Sequence, residues 1–355
     1  MGGSLALAIK NFHSHCRVSA VDFPPVLEKA VQRNALDRGF EPSNLAQAVQ
    51  EADVVFVATP IDNIKKTLPR LAESVPSGCI ITDLGSTKRQ ICEVGSKAFS
   101  ETDACFIGGH PMAGAETQGI EGAHPLLYEN SVYILTETSE TPPDYLAKLT
   151  KFLKGLGAEP VPLPPDSHDR IVARISHLPQ LIATGLVNHV KQNSENNLRE
   201  QLKFSGGGFR DMTRIAQSQY QMWEDIFSTN KEFIKEEIGG FIEVLEGLAD
   251  ALDNPRMEKE FNRARETRMM IPQQEKGIIS STERVAVMVP DRPGALAELT
   301  SCLADQGINI KDLELQKVRE DYRGTFLIRF SDLDTASRAA EVLREKDFDA
   351  RVMDS

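Results

Sequence analysis

Histidine titrates near neutral pH, so a histidine between a strand end and a glycine- and proline-rich loop is placed to move a proton. The run Gly108-Gly109-His110-Pro111-Met112-Ala113-Gly114-Ala115-Glu116 reads that way. Upstream, Asp83-Leu84-Gly85-Ser86-Thr87-Lys88 also follows directly on a strand-like run, which would bring Ser86 and Lys88 to the same crevice. Ser86 could equally be the N-cap of the helix that follows. A third stretch runs Ser205-Gly206-Gly207-Gly208-Phe209-Arg210-Asp211-Met212-Thr213-Arg214-Ile215-Ala216, with Met222-Trp223 beyond it. Its glycines allow close backbone approach, and Arg210 and Arg214, one helical turn apart, could clamp a carboxylate. They could also simply pair with Asp211 or Glu224 on a solvated face. Between these stretches, His168-Asp169 and Ser176-His177-Leu178-Pro179-Gln180 set polar groups into an otherwise apolar helix. They are either a satisfied core network or a pocket wall.

Short apolar runs must hold these groups. Arg17 to Val21, Ala52 to Thr59, Cys79 to Asp83, Cys105 to Gly108, Ser131 to Thr136 and Ala158 to Leu163 read as strands. Ser4 to Phe12, Ile64 to Glu73, Lys88 to Lys97 and Tyr145 to Leu156 read as helices between them. The unbroken run Ala52 to Thr59 suits a parallel strand buried on both faces, and the alternation predicts a doubly wound α/β domain over residues 1–164, with ligands at the carboxyl ends of its strands. From 165 to 275 the texture is helical. Ile234, Ile238, Phe241, Leu245, Leu248 and Leu252 follow a 4,3,4,3,4 spacing, which predicts one seam from Tyr220 to Leu252, roughly 50 Å long. Core packing is the plain reading, and a subunit interface the second. After the polar connector Pro272 to Ser281, residues 282–355 read βαββαβ: strands at Val285 to Val289, Ile308 to Val318, Thr325 to Phe330 and Ala350 to Met353, helices at Gly294 to Gln306 and Asp334 to Lys346, and a polar turn at Arg319 to Arg323. That order is ferredoxin-like and suits an appended regulatory module.

The opening Met1-Gly2-Gly3-Ser4-Leu5 bears on cofactor binding. A Rossmann fingerprint needs a strand, then GxGxxG, then a helix, with an acid about 20 residues on for the ribose hydroxyls. Gly2 can serve as the last glycine, the helix follows at once, and Asp22 ends the next strand. An acid there favours NAD over NADP; as bland alternatives, Gly2-Gly3 is a loose terminus and Asp22 an ordinary turn residue. Gly2, Gly3, Ser4, Asp22, Thr59 and Pro60 are the candidate cofactor residues. The first strand and first two glycines are missing from the chain as written, so two sheet edges should be exposed, and residues upstream of Met1 are expected.

Composition excludes several classes. The chain has 355 residues, 41% hydrophobic and 26% charged, and its longest apolar runs are far short of the roughly 20 residues that cross a bilayer. A net charge of -12 argues against a nucleic-acid surface, so an anionic substrate must be held by local arginines. Five scattered cysteines with no CxxC indicate neither a disulfide framework nor a metal site, and suit a reducing cytoplasm. His13 and His15 beside Cys16 read as an exposed helix end.

Taken together, DLGSTK, GGHPMAGAE, SHLP and GGGFRDMTRIA followed by MWxD resemble the prephenate dehydrogenase family, which includes arogenate dehydrogenases, over about residues 1–275. The tail, with Asp291-Arg292-Pro293-Gly294-Ala295-Leu296 and Gly307-Ile308-Asn309-Ile310, resembles an ACT domain, an amino-acid-sensing module. The resemblance implies an NAD-dependent oxidative decarboxylation of prephenate to 4-hydroxyphenylpyruvate in tyrosine biosynthesis, by a homodimer with a helical dimerisation domain. By the same resemblance, His110 takes the proton of the substrate hydroxyl while hydride leaves for NAD, and Ser86 orients both. Arg214 grips a substrate carboxylate, Gly207 and Trp223 line the pocket, and His177 belongs to its wall. Many members read SHLPH where this chain has Gln180, which hydrogen-bonds but takes no charge and leaves affinity or substrate choice open. In the tail, Asp291, Gly294, Ala295 and Asn309 are the candidate site for a feedback ligand such as tyrosine. Arogenate is the rival substrate. A catalytically inactive amino-acid sensor is the rival of another class, and the joint presence of His110, Ser86 and Arg214 speaks against it.

Overall fold

The computed structural model describes residues 1–114, 119–137, 141–194, 197–271, 283–319 and 323–353. Ala115 and Glu116, the connector from Pro272 to Ser281 and residues 320–322 of the polar turn lie outside them. The chain forms two compact units, Met1–Pro272 and Gln273–Ser355.

In the first unit α1 (Gly2–Phe12) leads through β1 (Ser19–Val21), α2 (Pro24–Gln32), β2 (Arg38–Phe40) and α3 (Leu45–Val49) to β3 (Val54–Val57). Next come α4 (Ile61–Ala72), β4 (Ile80–Asp83), α5 (Arg89–Phe99), β5 (Cys105–Pro111), β6 (Val132–Thr136), α6 (Pro143–Gly155) and β7 (Glu159–Pro162). Five strands form a sheet in the order β3-β4-β5-β6-β7, while β1 and β2 form a separate parallel pair. A doubly wound order would set a strand between β1 and β3; among the described residues none lies there, and both are edge strands. As an edge, β3 is half-buried along most of its length, not covered on both faces as its apolar run predicts.

Successive residues of the central strands feed opposite layers. Ile80, Cys105 and Ile107 join Leu5, Ala8, Leu149 and Leu153 beneath α1 and α6. Ile81 joins Ile64, Leu68, Leu71, Ile91 and Phe99 beneath α4 and α5. The 3,4,3 spacing of Ile61, Ile64, Leu68 and Leu71 is the apolar stripe that seats α4.

Two expectations need correction here. The pair β5–β6 is antiparallel, unlike its neighbours, and no helix links the two strands among the described residues, as a parallel crossover would require. Strand β5 also runs on through Gly108 and Gly109 to Pro111, so His110 is a strand residue opposite Ile134 and not part of the loop. Two glycines carry no apolar signal, which hid the extension. A Cβ at Gly109 would lie 2.5 Å from the Asp83 carbonyl oxygen, so only glycine admits this close approach of β4 and β5.

The helical part of the unit comprises α7 (Pro165–Val172), a π-helical turn over Ala173–His177, α8 (Leu178–Gln192), α9 (Leu198–Lys203), α10 (Gly207–Thr213) and a 3₁₀ turn over Arg214–Gln217. Then follow α11 (Gln221–Thr229), α12 (Lys231–Asp250) and α13 (Arg256–Met269). The expected single seam is therefore two helices, broken at Asn230, whose backbone at φ -120° and ψ 21° is not helical. Its side chain is drawn into the interior by partners that sequence spacing does not reveal. Along α12 only Ile234 is fully buried, while Ile242, Val244 and Leu245 are exposed, leaving an apolar face open on this chain.

In the second unit β8 (Glu283–Pro290), α14 (Ala295–Asp305), β9 (Asp312–Arg319), β10 (Arg323–Phe330), α15 (Leu333–Glu345) and β11 (Asp349–Val352) form an antiparallel sheet ordered β11-β8-β10-β9. Val285, Val287 and Val289 alternate inward against Leu299, Leu303, Ala336, Ala340 and Leu343 of the two helices. This is the expected ferredoxin-like arrangement.

Candidate active site

The end of β4, the start of α5, the end of β5 and α7 converge on one buried polar network. Asp83 closes β4 fully buried, its carboxylate paired with the ammonium of Lys88 and accepting the backbone N–H groups of Gly85 (2.8 Å) and Gly109 (3.0 Å). Lys88 Nζ also donates to the carbonyl of Gly109 at 2.7 Å. This clamp fixes the loop carrying Ser86 to the strand carrying His110. Lys88 is thus no crevice-facing cation, as the sequence suggested, but a fully buried tie between strands.

A second carboxylate acts from the helical part. Asp169 of α7 accepts Lys88 N–H at 2.6 Å and Arg89 N–H at 2.9 Å, capping α5 with a group from a distant helix. Ser86 is therefore not the cap: it lies upstream of the N-cap residue Lys88, half-buried, between pinned neighbours. Thr87 meets Thr229 at 2.8 Å. Asp225 of α11 similarly accepts the Asp62 N–H at the start of α4, at 3.2 Å. Helix termini thus fasten the helical part to the strand ends.

The same Asp169 anchors a chain of imidazoles. His168 Nδ1 lies 2.8 Å from Asp169 Oδ1, and its Nε2 lies 2.7 Å from Nδ1 of His110. His168 and Asp169 are fully buried, whereas His110 retains some exposure. Burial holds the His110 pKa well below 6.5, and the neighbouring His168, Lys88 and His177 push the same way. Burial also lowers that of His168, with Asp169 opposing and Lys88 assisting. His177, delivered by the π-helical turn, is lowered by burial to about 4. Its Nδ1 lies 3.3 Å from Nδ2 of Asn230, which also donates to the Asp169 carbonyl at 2.8 Å. All three rings are neutral at pH 7.

Trp223 lies perpendicular to His177, ring centroids 6.0 Å apart, and stacks on Phe227. Gln180 is buried and donates its amide to the Ile215 carbonyl at 3.0 Å, tying α8 to the 3₁₀ turn that begins at Arg214. Arg210 belongs to α10 and Arg214 to that turn; both are exposed. Gly206 to Gly208 open α10 with free space where a Cβ would stand, so packing inside this chain does not require them.

The cofactor candidates lie at strand and helix ends. A Cβ on Gly2 would come 2.8 Å from Ala58 Cβ, so α1 approaches the end of β3 as closely as the last glycine of a dinucleotide fingerprint permits, and one on Gly3 would come 2.5 Å from Ile120 Cδ1. Asp22 is half-buried just after β1, and Thr59 and Pro60 are exposed just after β3. These residues fit the ribose and helix-terminus contacts of NAD. Ser4 does not share that setting: it is buried, and its hydroxyl accepts the His124 N–H at 3.1 Å. Among the described residues no cluster of three or more His, Cys, Asp or Glu could hold a metal ion.

Comparison with known proteins agrees. The family model for the prephenate dehydrogenase nucleotide-binding domain matches residues 5–161, that for the prephenate dehydrogenase dimerization domain matches 164–266, and that for the ACT domain matches 284–346. Prephenate dehydrogenase of Bacillus subtilis (strain 168) is 34% identical over 98% of this chain and 94% of its own length. The chain belongs to the prephenate dehydrogenase family. Among solved structures, prephenate dehydrogenase from Aquifex aeolicus, in complex with hydroxyphenyl propionate and NAD+, superposes with a TM-score of 0.71 at 29% identity, covering 76% of this chain and 94% of that one. A Synechocystis arogenate dehydrogenase gives 0.67, also at 29% identity, over 75% of this chain and 95% of its own. As members of this family are NAD-dependent oxidoreductases, the Rossmann-like, helical and ACT segments acquire a common setting.

Sequence reasoning placed Ser86 and His110 at this convergence, left His168, Asp169 and His177 between a core network and a pocket wall, and assigned His177 to the pocket only through the family resemblance. It missed Asp83 and Asn230. An asparagine directly before a new helical run is an N-cap signal and could have located the break.

Proposed function

We propose that the protein oxidatively decarboxylates prephenate to 4-hydroxyphenylpyruvate with NAD, in tyrosine biosynthesis. The single observation that carries this reading is a neutral His110 held at the strand ends by a buried network, in a chain of this family. The amino end of α1, Asp22, Thr59 and Pro60 would hold NAD, which would supply the acceptor for the hydride of the ring carbon. As that hydride leaves, His110 Nε2 accepts the hydrogen bond and then the proton of the substrate hydroxyl, with Ser86 orienting both. The electron pair of the bond to the lost carboxylate fills the ring, CO2 departs, and the phenolate oxygen takes the proton back. Aromatisation supplies the driving force, so one base and good positioning suffice.

Arg214 is assigned to a substrate carboxylate, and Gly207, His177 and Trp223 to the pocket around the ring. Gln180, already engaged with Ile215, supports the pocket by holding the Arg214 turn. The open apolar face of α12 and the dimerization-domain match support a homodimer. Within the first unit the boundary between cofactor and substrate domains is assigned near residue 164. For the second unit, feedback by tyrosine is proposed: Gly294, at φ +89° with open space where a Cβ would stand, opens α14 between Asp291 and Ala295, and Asn309 is exposed. No helix among the described residues is long and apolar enough to cross a membrane, and the free cysteines suit the cytoplasm. NADH formation measured with prephenate and arogenate side by side tests the reading: turnover of prephenate is expected to dominate, and preference for arogenate would reassign the substrate.

A further inference from the structure

The chain of contacts from Asp169 to His110 fixes where each proton sits. Both oxygens of Asp169 accept backbone N–H groups at the amino end of α5, Oδ1 from Lys88 and Oδ2 from Arg89, and Oδ1 also faces His168 Nδ1 at 2.8 Å, so the carboxylate is the acceptor in that contact. His168 must then carry its proton on Nδ1. A neutral His168 leaves Nε2 bare, and at 2.7 Å it accepts from His110 only if His110 is protonated on Nδ1. The remaining nitrogen of His110, Nε2, is then bare. The opposite arrangement requires a doubly protonated His168, fully buried and near the Lys88 ammonium, which burial and like charge both oppose.

We propose that His168 and Asp169 are positioning residues that impose the Nδ1–H tautomer on His110 and share the proton it takes. The inference rests on His110 being the base. When substrate oxygen gives its proton to His110 Nε2, the His110 Nδ1–H bond breaks as an N–H bond forms on His168 Nε2. Positive charge thereby moves next to Asp169, and His110 is left neutral with its new proton on Nε2. The same bonds reverse as the phenolate reclaims its proton, so no outside acid or base is consumed. His110 alone would hold that charge with no carboxylate in contact; His168, though also near Lys88, holds it 2.8 Å from Asp169.

The test combines three measurements on the full chain. In 15N-histidine-labelled wild type without substrate, His110 is expected to show a protonated Nδ1 and a bare Nε2; a protonated Nε2 would overturn the proposal whatever the substrate proves to be. His168→Leu removes the acceptor and is expected to lower kcat by about 10²–10⁴-fold, the span of a misplaced base, with KM changed less than about threefold. His168→Gln, whose amide oxygen can still accept from His110, is expected to recover at least about tenfold of that loss. If His168→Leu fails to fold, by thermal melting, the wild-type tautomer and the His168→Gln rate decide. A His168→Leu protein with wild-type kcat, or equal rates in the Leu and Gln variants, would leave His168 a packing residue only. Turnover failing with prephenate while the tautomer holds would count against the substrate assignment alone.

Discussion

Replacing Lys88 by methionine probes the clamp beneath the site. Lys88→Met keeps the length of the stem but removes an ammonium that is fully buried between the Asp83 carboxylate and the Gly109 carbonyl. Asp83 would keep two N–H donors, from Gly85 and Gly109, but lose its counter-charge. Breaking a buried ion pair from one side costs about 3–5 kcal/mol, because the remaining charge stays desolvated. With about 2.1 cal/mol/K per residue of unfolding entropy, the first unit, Met1–Pro272, should lose about 5–9 °C in Tm. Urea unfolding followed by circular dichroism gives the free energy, and thermal melting gives the Tm. Lys88→Met combined with Asp83→Asn should recover part of the loss, since it removes the unpaired charge while keeping one acceptor for the two amides. A single variant within about 1 kcal/mol of wild type would refute the clamp.

Other consequences follow from the same geometry. Arg214→Ala is expected to raise KM for prephenate by about 10–150-fold with little change in kcat, the equivalent of a charge-assisted contact of roughly 1.5–3 kcal/mol, as steady-state kinetics would show. Asn230→Leu leaves the Asp169 carbonyl without this donor and the His177 ring without its neighbour, and should cost about 1–3 kcal/mol in urea unfolding. Stability should also depend on pH in acid. The folded-state pKa values of His110, His168 and His177 all lie below 6.5, so as pH falls the unfolded chain binds protons first. Stability is therefore flat above about pH 6.5 and declines below it, His177 alone contributing about 3 kcal/mol between 6.5 and its own value of about 4; stability unchanged from pH 7 to 4.5 would contradict the buried neutral rings.

What the sequence revealed, and what it hid, divides along physical lines. Periodic apolar runs announced the strands β4 and β6, the helices α4 to α6 and the described elements of the second unit, because each buries a regular face, and also β3 and β7, although β3 is only half-buried and β7 largely exposed. The glycines concealed the extension of β5 beyond Gly108 to Pro111, since a strand built on close backbone approach has no side-chain pattern to show. His110 and Ser86 were visible because each lies at or just beyond the end of an apolar strand run. The partnership of His168 with His110 joins residues 58 apart, and that of Asp169 with Lys88 joins residues 81 apart; no local signal encodes such pairings. Lys88 was misjudged for the same reason: a lysine after a strand looks solvent-facing until a buried aspartate is found beside it. The break at Asn230 was missed because the seam was extended back to Tyr220, although its regular spacing starts only at Ile234 and the asparagine itself marked a helix start.

The central claim is that His110 supplies the base for an NAD-dependent oxidative decarboxylation. Incubating the wild-type protein and His110→Asn with prephenate labelled in the ring carboxylate, and following NADH and released CO2 together, tests it most directly. Wild type is expected to form the two products one to one, and the variant to form both about 10²–10⁴-fold more slowly with a similar KM. NADH without CO2, or wild-type turnover by His110→Asn, would contradict the account.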